Sequence, residues 1–174
     1  MIMTVTALRE YITSSESDTV LESKLKALEL LIRKYTNNNF QKRSIRVECP
    51  IVQQKLYSDY DLLGVGDTVQ ISQSIYNDGL YVISAKEDGF ITLNATLIDE
   101  SNVVVTKVEY PEDVKMGAIN MLKWDLENRE KVGIQSETIS RHSVTYFNMD
   151  GDNSSMGYPK SLVGFLNPYK KARF

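Results

Sequence analysis

Cysteine is nearly absent. Cys49 stands alone in 174 residues, which excludes an internal disulfide framework and any zinc site built from several thiolates, and a reducing compartment is expected. Histidine is as scarce. With His142 as the single imidazole, the paired-His spacings of metal hydrolases are missing and one general base of the usual kind remains. No apolar run approaches the roughly 18 residues a membrane helix needs. Residues 1–11 also lack the basic region and apolar core of a signal peptide, so no cleaved leader is expected. A surplus of positive charge is missing too: 20 Lys and Arg against 23 Asp and Glu leave a net charge of -3. General DNA binding by counterion release therefore has no basic surface to work from.

What is present is periodic. TVTALREYI, residues 4–12, places Val5, Leu8 and Ile12 on one side of a short helix. After the loop residues SSESD, Thr19 and Glu22 have the spacing of a capping box. Leu21, Leu25, Leu28, Ile32 and Tyr35 then recur at steps of four and three, and Asn37 to Asn39 end the helix, because Asn tolerates the left-handed conformation. Past Arg43 the period drops to two, in the pairs Ile45 and Val47, Val69 and Ile71, Tyr81 and Ile83. Gly64, Gly66, Asn77-Asp78-Gly79 and Asp88-Gly89 supply turns, and the β-branched run 103–108 closes a small antiparallel barrel or sandwich over residues 43–108. A second long helix begins after Pro111, with Glu112 and Asp113 at its positive end and Val114, Ala118, Met121 and Leu122 on its apolar face.

These patterns predict an α+β fold in which two long helices form the core and the β module is inserted between them. The expected divisions are 1–42, 43–108, 109–133 and 134–174, the last an extended arm ending in a short helix near Pro159. From residue 153 onward the chain carries Lys160, Lys170, Lys171 and Arg173 and no acid. Phe165, Leu166, Tyr169 and Phe174 lie in the same stretch. Such an apolar hook either folds back or buries itself in a partner, since leaving it wet forfeits roughly 1.5 to 3 kcal/mol per large side chain; shelter in a partner is the expectation.

Chemistry-bearing motifs are weak. Arg141, His142 and Ser143 are adjacent, so in an extended segment His142 and Ser143 point to opposite faces, and no G-x-S-x-G accompanies them. Asn148, Asp150 and Asp152 alternate, but Gly151 comes too early for a calcium loop. Gly64 and Gly66 read as a turn, not a dinucleotide fingerprint. The carboxylate groups Asp59, Asp61, Asp67 and Glu109, Glu112, Asp113 read as solvated loop and cap residues. Tyr57, Tyr60, Tyr76 and Tyr81 offer an aromatic face, or, as is more common, complete a β core. No catalytic residue, metal or cofactor is expected.

The closing run KVGIQSETISRHSVTYFNMDGDNSSMGYPKSLVGFLNPYKKARF, residues 131–174, resembles the head-to-tail connector, or adaptor, proteins of long-tailed double-stranded-DNA bacteriophages. The TVTALREYI opening and the aromatic-Thr-Asn helix end, Tyr35-Thr36-Asn37, resemble the same family more loosely. The 43–108 segment departs from its minimal pattern. The resemblance implies a non-enzymatic virion protein of the neck, assembled in the host cytoplasm as a ring, of twelve copies as the expected number, under the portal. The implied partners are the portal protein, a stopper or tail-completion protein and further copies of the chain, with genomic DNA passing through unbound. By position, Leu162, Phe165, Leu166, Tyr169, Lys170, Lys171, Arg173 and Phe174 become portal contacts, and Tyr146, Phe147, Met149 and Tyr158 become arm or inter-subunit contacts. The rival readings are another neck component and a host binding module that uses the β segment.

Overall fold

The computed structural model describes residues 1–129, 136–139, 142–145 and 152–172, with backbone alone for 136–139 and 142–145. Two compact units are present. The first takes in Met1 and Asn39–Tyr110, the second Ile2–Asn38 and Pro111–Phe174.

In the first unit, six strands close a barrel: β1 (Gln41–Val52), β2 (Lys55–Tyr57), β3 (Thr68–Ser72), β4 (Gly79–Glu87), β5 (Phe90–Leu93) and β6 (Glu100–Val108). Their order around the barrel is β1-β2-β5-β4-β3-β6, with every neighbouring pair antiparallel. The seam that closes it joins β1 to β6, for example Val47 to Val105 and Cys49 to Val103. Strands alternate because successive side chains point to opposite faces. The inward set includes Cys49, Ile51, Leu56, Val69, Ile71, Ile83, Ile91 and Val105, all buried in one cluster that Tyr60 and Tyr81 pack against. Gly89, at φ +77°, makes the β4–β5 turn a position that an L side chain enters only with strain.

The second unit contains α1 (Val5–Arg9), α2 (Asp18–Thr36), α3 (Glu112–Asn128) and α4 (Lys160–Val163), with a 3₁₀ turn at Gly164–Tyr169. Helix α2 starts at Ser17, whose Oγ accepts from Val20 N, two residues ahead of Thr19, which with Glu22 reads as its capping box. Asn37 ends it in the left-handed conformation, φ 50°. Leu21, Leu25, Leu28 and Ile32 of α2, and Val114, Ala118, Met121 and Leu122 of α3, are buried, and Lys24 pairs with Asp125 across the two helices at 3.0 Å. Two small antiparallel pairs complete the unit, β7 (Ser136–Ile139) with β8 (His142–Thr145) and β9 (Ser154–Ser155) with β10 (Tyr158–Pro159).

The expected fold class, a core of two long helices with a small β insertion, is corrected. The described residues are mostly β, with a closed six-stranded barrel and four helices. The reason lies in range. A helical stripe declares itself within one window of sequence, whereas barrel closure depends on β1 meeting β6 across some sixty residues, as in the Arg46 to Thr106 side-chain bond.

Candidate interaction surfaces

The closing segment of the second unit does not project. Tyr158, predicted as an arm contact, is buried within its own unit, its ring 5.4 Å from that of Trp124, with the Arg129 guanidinium over both. Burial tends to raise the pKa of Asp125 beneath them, but hydrogen bonds from Lys24 and Arg129 outweigh it and hold the carboxyl below its usual range. Val163 and Leu166 are also buried, and the Phe165 ring lies over Gly117 of α3 so closely that a Cβ at 117 would overlap it.

Polar groups then fasten the end. Tyr169 Oη donates to Asp113 at 2.7 Å, Asn38 Nδ2 donates to the Tyr169 carbonyl, Asn37 Nδ2 to the Ala172 carbonyl, and the Lys171 amide to the Thr36 carbonyl at 2.8 Å. Lys170 Nζ lies 2.8 Å from Tyr35 Oη and 4.1 Å from that ring's centroid. Leu166 of the hook and Tyr158, expected as an arm contact, are both housed in their own subunit. A glycine in mid-helix opens the socket, and the orphan carbonyls and Asn side chains at the end of α2 receive the backbone. Leu162, Phe165 and Tyr169 are half-exposed, and Lys170 and Lys171 are exposed. Arg173, Phe174, Tyr146, Phe147 and Met149 lie outside the described residues, as do Asn148 and Asp150 and the side chain of His142.

A second surface had no signal in the periodicity. At one end of the barrel the β1–β2, β3–β4 and β5–β6 connections converge on Ile98, Asp99 and Glu100. Asp99 accepts from the amides of Gln53 and Gln54, at 3.0 and 2.8 Å. Glu100 accepts from Ser74 Oγ at 2.6 Å and from the amides of Ile75 and Tyr76. Asn77 bonds both the amide and the carbonyl of Ile98. The Ser74 hydroxyl and these amides hold the Glu100 carboxyl below the ordinary range. On this scaffold Ile75 is 82% exposed and Tyr76 66%, with Ile98 and Val52 also exposed. Gln53, Gln54 and Gln73 at the same end all take positive φ.

The remaining sequence candidates are dispersed. Tyr57 and Tyr76 flank opposite ends of β4, Tyr57 opposite Phe90 beside the Asp88-Gly89 turn and Tyr76 in the loop that precedes the strand, so the four tyrosines share no face. Asp67 pairs with Lys107 at 2.7 Å and accepts from the Gly64 amide, and Glu112 pairs with Lys115. Among the described residues no three His, Cys, Asp or Glu side chains are grouped to hold a metal. The chain matches no protein-family model and no curated protein.

Proposed function

We propose that this chain is a structural neck protein of a long-tailed bacteriophage, a head-to-tail connector that assembles as a ring beneath the portal and passes the genome to a stopper or tail-completion protein. The observation that carries the reading is the closing run of residues 131–174, which resembles that family over the last quarter of the chain. Two physical features agree with a scaffold role. Asp67, Asp99 and Asp125 are spent on backbone amides and on ion pairs with Lys, and the half-exposed Phe165 and Tyr169 with exposed Lys170 leave a cationic, partly apolar strip available to another molecule. Portal engagement is accordingly assigned to the outer side of the folded-back segment, not to Leu166.

Repetition gives such a strip its strength. One modest contact repeated around a ring multiplies through effective concentration, and an acidic chain repels the DNA backbone as the genome passes. Co-expression with the portal protein tests the assignment: a complex that withstands size exclusion and is lost in Lys170→Glu supports it. A chain that binds only tail proteins belongs to a different neck component, and one that binds neither is no neck protein.

A further inference from the structure

The barrel tip is ordered by bonds to Asp99, Glu100 and Asn77, yet it presents Ile75, Tyr76, Ile98 and Val52 to solvent. Loops fixed in this way hold their apolar side chains out at little further entropic cost on binding. The charge around them has one sign. Asp78 and Asp99 lie in the β3–β4 and β5–β6 connections and Glu100 opens β6, and residues 50–54, 73–79 and 94–100 contain no Lys or Arg. The nearest basic residue in sequence, Lys55, is paired with Glu87.

An occupant of this surface has to be apolar and cationic. Two tips meeting face to face would bring like charges together, and an anionic bilayer is repelled for the same reason. The same chain offers the complement. From residue 153 to the end there is no acid, and the exposed Lys160 and Lys171 form no ion pair among the described residues, beside half-exposed Leu162 and exposed Pro168. We propose that the acidic, apolar barrel tip of one copy receives the cationic C-terminal segment of a second copy, joining subunits head to tail.

A contact between two different patches repeats indefinitely, closing into a ring if its rotation allows and otherwise growing as a filament. The inference deepens the ring reading and rests on it for closure, but self-association is measured without any portal, so failure of the one is distinguished from failure of the other. Sedimentation velocity of the full chain over a range of concentrations, at low and high salt, is the test. The mass rises with concentration at low salt and falls back at high salt. Ile75→Ser with Tyr76→Ser abolishes association, and Lys171→Glu weakens it by about tenfold or more. Asp78→Lys weakens it likewise, and combining Asp78→Lys with Lys171→Glu restores it. Because Asp78 also accepts from the Ser74 amide, melting curves confirm the fold of each variant, and Ile75→Ser with Tyr76→Ser carries the test should Asp78→Lys unfold. A chain that stays monomeric, an association indifferent to Ile75, Tyr76 and Lys171, or a double charge exchange no better than its single members overturns the proposal.

Discussion

At Gly117 a missing side chain decides how the end of the protein is housed. Glycine in mid-helix ordinarily costs about 1 kcal/mol relative to alanine, yet here a Cβ would occupy the space of the Phe165 ring. Gly117→Ala is therefore expected to lower stability by about 1 kcal/mol, overpacking outweighing the gain in propensity, and to make residues 160–172 sensitive to limited proteolysis. A rise in Tm would contradict the socket. Cys49 gives a second prediction: burial in the barrel pushes its thiol up to about 11, so at neutral pH the nucleophilic thiolate is scarce and shielded. Iodoacetamide should label it only after unfolding, and stoichiometric labelling of the native chain would contradict its placement. The sequence showed Cys49 to be single but not that it faces inward, since the alternation Val47, Cys49, Ile51 becomes meaningful only once a barrel exists. Gly117 was passed over because an apolar stripe is read from the residues present, not from the gap between them.

Among the elements, the β1–β2 hairpin turns through two glutamines at φ 53° and 64°, where Asn-Gly is the usual choice. Asp99 holds their amides and offsets the strain. Replacing Gln54 with Gly is expected to raise stability by about 0.5 to 1 kcal/mol in chemical denaturation, the relief of left-handed strain exceeding the added chain entropy. The tip carries a pH prediction as well. Hydrogen bonds depress the folded pKa of Glu100, so its contribution is complete above the unfolded carboxylate value and is lost as pH falls through the lower, folded one. Glu100→Gln should be less stable than the natural chain at neutral pH and should lack this part of the acid dependence; identical pH profiles would contradict the scaffold. Hairpin and helix ends were legible where one residue type acts alone, as Gly89 and Asn37 do. The Ser17 cap and the Gln-Gln turn were not, because Thr19 and Glu22 mimic a cap two residues late and glutamine gives no turn signal.

In the whole molecule, local stripes misled in one direction. Leu21, Leu25, Leu28 and Ile32 announce their helix within a dozen residues, so the helices seemed to dominate the fold. The closed barrel depends on β1 finding β6, a pairing no window contains. The housing of the hook is not legible in the sequence for a related reason: its socket on α3 and its anchors Asn37, Asn38 and Asp113 lie far away in sequence. The outer side of the cationic end stays open, and the connector reading places its portal contact there. The most direct measurement is electron microscopy of the portal protein mixed with this chain. A ring of copies seated under the portal, with Phe165, Tyr169 and Lys170 at the contact, is the expected result; a bare portal beside unassembled chain would contradict it.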